Sequence, residues 1–361
     1  MKSNLRQAAG SLLVVGLGST ELTGLEQAWL KLVRPGGIIL FRRNVADAAQ
    51  TRALLDNATA LCAPASFRMV DVEGGTVDRL RDALAPVPSA QAVASTGKSS
   101  LMREHGELVA RAVRAFGFNT SLAPVLDLAL PDSAQVMGTR AAAATAAGVT
   151  EYARAFLAGL TEHGVVGCGK HYPGLAGGTL DSHLETPTIY RSTRALWQED
   201  LAPYHALRDE LPMIMMNHAA YPDTPGKDRP ASVSRYWIAN VLKKRIGYRG
   251  IVFSDDLQMG GILKYMPIEE AAVAALRAGT DLLEICHSPE LSLRAYESLL
   301  AEGERSAAFR ELLFDRAKYI ARQRARLFAS GTAKALTAKQ FETLRTRILR
   351  LREETDEARP A

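Results

Sequence analysis

The chain has 361 residues, 47% of them hydrophobic, and a formal net charge of +5 at pH 7. This content can bury one large core or two modest ones, and it is not typical of a disordered chain. The mild positive charge favours anionic ligands, but no concentrated basic stripe precedes the C-terminal region, so nucleic-acid binding is not indicated. No apolar run approaches the roughly 18–20 residues that a membrane-spanning helix needs.

Short apolar runs that predict buried strands alternate with longer segments of helical pattern. The predicted strands are Leu12–Leu17, Gly37–Phe41, Phe67–Val70, Ser121–Leu126, Val165–Cys168, Met213–Met216, Ile251–Phe253 and Asp281–Ile285. The helical segments between them are 22–34, 46–61, 100–116, 145–163, 192–209, 234–246 and 267–278. Eight strands alternating with helices predict an α/β fold of the (β/α)8 barrel type. A doubly wound open sheet alternates similarly, and the count of eight favours the barrel.

Two further helical stretches, Pro289–Phe328 and Leu336–Glu354, follow the eighth strand. We therefore predict a barrel over residues 1–290 and C-terminal helices over residues 291–361 that pack on the barrel or extend from it. The last stretch carries a run of closely spaced arginines, namely Arg345, Arg347, Arg350 and Arg352. Such a run is typical of a solvated helix face, and an anionic partner is the alternative.

Three cysteines, Cys62, Cys168 and Cys286, are odd in number and widely spaced. This pattern favours buried thiols in a reducing compartment over a disulfide framework or a zinc site. The apolar stretch 8–17 follows Lys2 and Arg6 and could be mistaken for a secretion signal, but glycine and serine residues interrupt it. We interpret it as the first core strand and predict a cytoplasmic protein.

Polar or ionisable side chains follow seven of the eight predicted strands. In strand order they are Arg42-Arg43-Asn44, Asp71 with Glu73, Asp127, Lys170-His171, Asn217-His218, Asp255-Asp256 and His287. The carboxyl ends of barrel strands meet at one rim, where the active sites of such barrels lie. Any single one could be a packing or capping residue, as Asp256 could be a helix N-cap. Together they indicate a functional site, because unpaired charges are costly to bury.

Several of these segments resemble glycoside hydrolase family 3, specifically its single-barrel bacterial β-N-acetylhexosaminidases of cell-wall recycling. The resemblance is carried by Val70–Gly75, by the loop from Lys170-His171-Tyr172-Pro173-Gly174 to Asp181-Ser182-His183, and by Phe253–Leu257. It extends over Gly36 to Cys286 and includes motifs at 37–44, 123–127 and 230–234. The resemblance implies a retaining hydrolase that removes terminal β-linked N-acetylglucosamine from small carbohydrates such as muropeptide fragments, without a cofactor or metal.

Matched position by position, the resemblance implies that Asp255 is the nucleophile. A carboxylate can trap an oxocarbenium-like carbon as a glycosyl ester. It further implies that His183, two residues after Asp181, is the general acid and base. An imidazole titrates near pH 6.5, and an adjacent carboxylate raises that pKa and orients the ring. Residues that match sugar-binding or substrate-proximal positions are Asp71, Arg79, Arg140, Lys170 and His171.

The sequence departs from the family pattern in two places. After Gly174 the family usually continues with His-Gly-Asp-Thr, whereas this chain has Leu175-Ala176-Gly177-Gly178 at unchanged spacing to His183. After Arg140 the family normally shows a Ser-Phe pair, which alanines 141–144 replace here. The loop has lost polar groups and holds two glycines, so we expect greater mobility. The departures bear on the sugar specificity and on the path of the loop, and they leave the implied nucleophile and acid in place.

Several alternatives remain open. His171, His183, His218 and Asp255 have the residue types of a divalent-cation site, which would fit a metal-dependent barrel hydrolase. A non-catalytic sugar-binding barrel would fit the altered loop. A β-glucosidase or β-xylosidase of the same family commonly takes its acid/base from a second domain, and the roughly 70 residues after the barrel are too few for one. For the proton donor, the rival carboxylates are Glu185 and Glu73, although Glu73 beside two glycines is more typical of a loop salt bridge.

Overall fold

The structure is a computed structural model that describes residues 2–178, 187–227, 229–329, 331 and 333–356. Its strands are β1 (Leu13–Gly16), β2 (Gly37–Leu40), β3 (Phe67–Val70), β4 (Val72–Gly74), β5 (Val77–Asp78), β6 (Thr120–Ser121), β7 (Val166–Tyr172), β8 (Met213–Met216), β9 (Ile251–Asp256) and β10 (Leu282–Ile285). Eight of them form a closed barrel in the order β1-β10-β9-β8-β7-β6-β3-β2, and β4 and β5 form a separate antiparallel hairpin. All neighbouring barrel strands are parallel. The predicted (β/α)8 fold is confirmed.

Closure of the barrel brings the ends of β1 and β10 into close contact. A Cβ atom on Gly16 would lie 1.9 Å from the carbonyl oxygen of Cys286, so only glycine fits at this position. The strands are buried on both faces, which explains why they are almost continuously apolar rather than alternating.

Two strands extend further than their apolar runs predict. β7 continues to Tyr172, which pairs with Met216, so Lys170 and His171 lie within the strand rather than beyond it. β9 likewise includes Asp255 and Asp256. Backbone pairing does not depend on side-chain polarity, whereas the prediction ended each strand where the apolar residues end.

One strand is shorter than predicted. β6 contains only Thr120 and Ser121, and Val125 forms an isolated bridge to Lys170. Pro124 stands between them and has no N–H group to donate to a ladder, which is why regular pairing stops before it.

The helices are α1 (Lys2–Gly10), α2 (Gly24–Val33), α3 (Ala48–Thr59), α4 (Ala90–Ser95), α5 (Ser99–Ala115), α6 (Ala134–Met137), α7 (Ala146–Glu162), α8 (Thr193–Gln198), α9 (Ala202–Ala206), α10 (Gly260–Leu263), α11 (Ile268–Ala278), α12 (Pro289–Arg305), α13 (Ala307–Leu327) and α14 (Ala338–Asp356). A π-helix spans Tyr236–Ile246, and single 3-10 turns lie at Arg42–Asn44, Pro131–Ser133, Gly138–Arg140 and Ala231–Val233. The sequence did not predict α1, α4, α6 or α10.

Local sequence signals account for several helix ends. Thr23 and Glu26 form a capping box at the start of α2, and the Asp47 side chain accepts a hydrogen bond from the Gln50 N–H group at the start of α3. The predicted helix 192–209 is instead two short helices, because α8 ends at Gln198 and α9 begins anew with Pro203 in its first turn.

The C-terminal helices pack against the outside of the barrel. α13 contacts α1 and α12, and α14 contacts α4 and α5. The arginines of α14 form ion pairs, such as Arg347 with Glu104 at 2.6 Å and Arg350 with Glu354 at 2.9 Å, in which the side chains are partly or largely exposed. The arginine side chains therefore lie on an exposed helix face. The division of the chain at residue 290 remains a prediction.

The three cysteines are free thiols and buried, as predicted. Across the described residues, we find no helix whose length and apolar character would allow it to cross a membrane.

Candidate active site

Five of the polar residues predicted at the strand ends line one cavity of about 350 Å³ at the carboxyl end of the barrel, namely Asp71, Glu73, Lys170, His171 and Asp255. The others are not among its lining residues, namely Arg42, Arg43, Asn44, Asp127, Asn217, His218, Asp256 and His287. The predicted nucleophile and the five predicted sugar-binding residues all line this cavity: Asp71, Arg79, Arg140, Lys170, His171 and Asp255. They are carried by β7 and β9 and by the segments that follow β3 and β6. Barrel closure therefore brings together side chains that are far apart in the chain.

Lys170 lies at the centre of a charged network in the cavity wall. Its side chain is 3% exposed, and its Nζ atom lies 2.8 Å from Asp71 Oδ1 and 2.6 Å from Glu73 Oε1. Burial alone would lower the pKa of Lys170, but the charges of Asp71 and Glu73 outweigh it and raise the pKa above its ordinary value. Lys170 therefore stays protonated, and its ion pairs fix the positions of both carboxylates.

Glu73 is held by a second cation. Arg140 donates hydrogen bonds to it from Nε at 2.8 Å and from Nη2 at 2.9 Å. Burial acts to raise the pKa of Glu73, but Arg140 and Lys170 hold that pKa well below its usual range. In this structure Glu73 is thus an ionised salt-bridge residue, as its position beside two glycines indicated.

The ring of His171 is oriented by Asp127, which lies in the segment after β6. Asp127 Oδ2 accepts a hydrogen bond from His171 Nδ1 at 2.7 Å and another from the His171 backbone N–H group at 3.1 Å. Because Nδ1 donates to this carboxylate, Nε2 is the acceptor in the neutral ring, and Arg140 Nη2 lies 3.3 Å from it. Asp127 therefore determines which nitrogen of His171 faces the cavity network.

Asp71 presents an ionised carboxylate to the cavity. Its Oδ2 atom lies 3.6 Å from Arg79 Nη2, and its carbonyl oxygen accepts a hydrogen bond from the Arg79 N–H group at 3.1 Å. Burial acts to raise the pKa of Asp71, but Lys170 and Arg79 outweigh it and lower the pKa. An ionised carboxylate is a strong acceptor for hydroxyl groups.

Asp255 is half-buried near the end of β9, and its Oδ1 atom accepts a hydrogen bond from the Asp256 N–H group at 2.9 Å. The neighbouring backbone is held by His218, whose Nε2 lies 3.0 Å from the Asp256 carbonyl oxygen and whose Nδ1 lies 2.7 Å from Ser232 Oγ. A carbonyl oxygen can only accept, so Nε2 carries the proton and Nδ1 accepts from the serine hydroxyl. His218 and Ser232 thus position the strand end that presents Asp255.

Asp256 does not cap a helix, because the N-cap position of α10 is Met259. Its Oδ1 atom accepts hydrogen bonds from the N–H groups of Gln258 at 3.0 Å and Cys286 at 3.4 Å, whereas α10 begins only at Gly260. Burial, together with the charge of Asp255, raises the pKa of Asp256 to about 6. The N-cap interpretation is therefore wrong, and the carboxyl group instead links the ends of β9 and β10.

Residues 4–316 match the family described as the glycosyl hydrolase family 3 N-terminal domain. The chain belongs to glycoside hydrolase family 3. The curated protein "Beta-hexosaminidase" of Alkalilimnicola ehrlichii is 38% identical over 285 residues, which cover 77% of this chain and 81% of that protein. The resemblance read from the strand-end motifs is thus confirmed.

Two solved structures of family 3 proteins have the same fold. A β-N-acetylglucosaminidase from Paenibacillus sp. is 29% identical, with a TM-score of 0.86 over 96% of this chain and 68% of that chain. NagZ from Neisseria gonorrhoeae, in complex with N-trifluoroacetyl-D-glucosamine, is 27% identical, with a TM-score of 0.77 over 95% of this chain and 98% of that chain.

One of the four candidate ligands of the metal-hydrolase alternative, His183, lies outside the described residues. His171 and His218 lie at the ends of the neighbouring strands β7 and β8, where His171 Nδ1 contacts Asp127 and His218 Nδ1 contacts Ser232. Among the described residues of this family 3 protein, the one group with metal-ligand spacing is Asp256, Cys286 and His287, whose ligand atoms lie within 4.8 Å of one another. That group contains none of the four predicted ligands.

The predicted acid and base, His183, its partner Asp181 and the rival Glu185 all lie outside the described residues, which omit 179–186. The start of this family 3 loop is described. Leu175 and Ala176 are buried, and the Leu175 N–H group donates to Asp127 Oδ1 at 2.7 Å. The residues that replace the family's polar groups therefore pack into the protein.

Gly174 allows the loop to leave β7 at this point. Its φ angle of +132° is rarely adopted by residues with a side chain, and a Cβ atom here would lie 2.8 Å from Asp200. The loop is thereby directed past Asp200, whose pKa is raised to about 7 by burial.

Glu284 is a cavity-lining residue that the sequence did not identify. It lies within the predicted eighth strand, between Leu283 and Ile285, and was counted as part of an apolar run. The available signal was the charge itself, because a glutamate inside a fully buried strand must face a polar environment or lose its charge.

Proposed function

We propose that this protein is a retaining β-N-acetylhexosaminidase that hydrolyses terminal β-linked N-acetylglucosamine from small glycosides such as muropeptide fragments. The observation that carries the proposal is the single cavity in which Asp255 faces Asp71, Lys170 and His171. The relative named Beta-hexosaminidase and the family 3 β-N-acetylglucosaminidase support the choice of sugar. The NagZ complex with N-trifluoroacetyl-D-glucosamine supports it as well.

In the proposed first step, a carboxylate oxygen of Asp255 attacks the anomeric carbon as the bond to the leaving oxygen breaks. His183 donates a proton to that oxygen, so the aglycone departs as an alcohol. The product is a glycosyl ester on Asp255. Asp181 would hold the imidazole and stabilise its protonated form.

In the proposed second step, neutral His183 removes a proton from a water molecule that attacks the anomeric carbon from the opposite face. The ester bond breaks, Asp255 is released as a carboxylate, and the sugar leaves with the configuration it had in the substrate. Two inversions at one carbon give overall retention.

We assign substrate binding to the charged network. The ionised carboxylate of Asp71 can accept hydrogen bonds from sugar hydroxyl groups, and Arg79 lies beside it. Lys170, Arg140 and His171 hold one another through Glu73 and Asp127, so their donors are arranged before the sugar binds. Preorganised donors of this kind lose little entropy when the substrate is bound.

The test is a panel of nitrophenyl β-glycosides that compares the N-acetylglucosaminide with the glucoside and the xyloside. We expect kcat/KM to be highest for the N-acetylglucosaminide. A preference for the glucoside or xyloside would move the protein to the glucosidase branch of the family. A folded protein that binds N-acetylglucosamine and cleaves none of the three would be a sugar-binding barrel.

We also propose a cytoplasmic location. The three buried free thiols support it, because such thiols are typical of proteins in a reducing compartment.

A further inference from the structure

Glu284 occupies a fixed position in β10, opposite Asp256 in the register of the barrel. Its N–H group donates to Ser254 Oγ at 3.0 Å, and its carbonyl oxygen accepts from the Leu257 N–H group at 2.9 Å. Because the backbone is anchored on both sides by residues of the β9 segment, the direction of the Glu284 side chain is determined by the barrel. That direction is toward the catalytic cavity, which Glu284 lines together with Asp255 and Met259.

The carboxyl group of Glu284 is buried but incompletely bonded. The residue is 4% exposed, and its carboxyl group has a hydrogen bond with the Cys286 side chain, but its Oε2 atom has no hydrogen-bond partner among the described residues. Buried polar groups without a partner are rare in proteins and costly, since the group has given up its water. Because Glu284 lines the cavity, a polar group of a ligand can supply a hydrogen bond that this carboxyl group lacks.

The charges around the cavity favour the protonated form of the Glu284 carboxyl group. Lys170, Arg140 and Arg79 all pair with Asp71 or Glu73, and none of these five residues belongs to β9 or β10. Burial, and then the charges of Asp256 and Asp255, raise the pKa of Glu284 well above its ordinary value. A protonated carboxyl group offers one donor and one acceptor, which matches the hydrogen-bonding capacity of a hydroxyl group.

We propose that Glu284 is a specificity-determining residue of the active site, whose carboxyl group hydrogen-bonds a hydroxyl group of the sugar held beside Asp255. The proposal deepens the hexosaminidase function and rests on it. It differs from the roles assigned to Asp71 and Lys170, because these residues are ion-paired before the sugar binds, whereas the carboxyl group of Glu284 would gain a hydrogen bond from the sugar.

The experiment compares Glu284→Gln and Glu284→Leu with the wild-type protein. Glutamine keeps one donor and one acceptor, so we expect its kcat/KM for the nitrophenyl N-acetylglucosaminide to stay within about threefold of the wild-type value. Leucine has a similar volume and no polar atom, and we expect roughly a 3- to 30-fold loss. Thermal unfolding of Glu284→Leu should occur at the same or a higher temperature, because a buried unpartnered carboxyl group has been removed.

The decisive arm uses the 3-deoxy, 4-deoxy and 6-deoxy forms of the same nitrophenyl glycoside. For one of them, wild-type protein and Glu284→Leu should have equal kcat/KM, because the hydroxyl group that Glu284 binds is then already missing. Equal losses on the parent and all three deoxy glycosides would overturn the proposal, as would a leucine variant as active as the wild type on the parent.

A binding measurement separates this proposal from the proposed function. Calorimetry should show that Glu284→Leu binds N-acetylglucosamine more weakly by a similar factor, while the control Glu302→Gln, a buried glutamate of α12 outside the cavity, should match the wild type. If the wild type cleaves the glycoside but Glu284→Leu is unchanged in binding and turnover, only the role of Glu284 is refuted. If the wild type neither binds nor cleaves the sugar, the hexosaminidase function fails and the role of Glu284 fails with it.

Discussion

Arg140 donates two hydrogen bonds to Glu73, from Nε to Oε2 at 2.8 Å and from Nη2 to Oε1 at 2.9 Å. Lys170 Nζ lies 2.6 Å from the same Oε1 atom. Arg140 and Lys170 hold the pKa of Glu73 well below its usual range, so near neutral pH this carboxylate has no proton to donate to a leaving group. This geometry argues against Glu73 as the general acid.

We expect Glu73→Gln to destabilise the protein without showing the signature of a lost acid. Arg140 and Lys170 would lose the negative charge of Glu73, and removing one partner of a buried ion pair typically lowers the free energy of unfolding by about 3–5 kcal/mol. Turnover should fall by the same factor for glycosides with good and poor leaving groups. Urea unfolding and a leaving-group series measure the two effects. Glu210→Gln, which breaks an exposed pair with Arg154, is the control and should cost at most about 1 kcal/mol.

Asp255→Ala should abolish turnover and leave the fold intact, because the variant lacks the oxygen that attacks the anomeric carbon. A fluorinated slow substrate should label the wild-type protein on Asp255. Peptide mass spectrometry locates the label. Asp256→Asn is the matched control and should still be labelled on Asp255, and a label on Asp256 or elsewhere would refute the assignment.

His183→Ala should affect substrates according to their leaving groups. Proton donation is worth typically 10²–10⁴-fold, and it matters least when the leaving group departs unaided. We therefore expect a much larger loss for natural disaccharides than for the glycosylation step of an activated nitrophenyl glycoside, where a burst followed by slow deglycosylation should appear. Stopped-flow and steady-state kinetics measure the two phases.

Asp181→Asn, which changes the proposed partner of His183, should reduce turnover less than His183→Ala does. Without the neighbouring charge, His183 would release its proton more readily, so the upper limb of the pH-rate profile should move to lower pH. The assignment is wrong if His183→Ala loses both kinds of substrate equally while Glu185→Gln shows the dependence on leaving group.

Asp256 should make the protein less stable as the pH rises from about 4 to about 6. Its pKa is raised from the ordinary 3.8 to about 6, chiefly by burial, so in this range the folded protein holds a proton that the unfolded chain has released. Asp256→Asn removes this dependence. In urea unfolding, the stability of the variant relative to the wild type should rise by about 2 kcal/mol between pH 4 and pH 7. Parallel stability curves for the two proteins would contradict the buried acid.

Activity should survive exhaustive chelation, since a retaining glycosidase needs a carboxylate and a proton donor only. The measurement is kcat/KM on the nitrophenyl N-acetylglucosaminide before and after dialysis against a chelator. Loss of activity that zinc or another divalent ion restores would favour the metal-dependent alternative.

Sequence patterns were sufficient for the barrel and for most of its site. Eight apolar runs predicted the strands, because a strand buried on both faces must be apolar along its length. The residues after those runs predicted one cavity, because parallel strands deliver their ends to one rim. Asp71, Lys170 and Asp255 could be placed at that rim from the strand pattern, whereas Arg140 and the roles of all four residues were implied by the resemblance to the family.

Tertiary structure alone decided which charges pair and which remain protonated. Lys170 meets Asp71 and Glu73 only because β7 and the segment after β3 face each other across the closed barrel. His218 supports Asp255 through the backbone of its neighbour, a contact for which no local pattern exists. In the sequence, Glu284 is only a single charged residue within an apolar strand. In the folded protein, burial and the charges of Asp256 and Asp255 raise its pKa. Periodicity is a property of neighbouring residues, whereas a pKa depends on the depth of burial and on charges that the fold brings from distant parts of the chain.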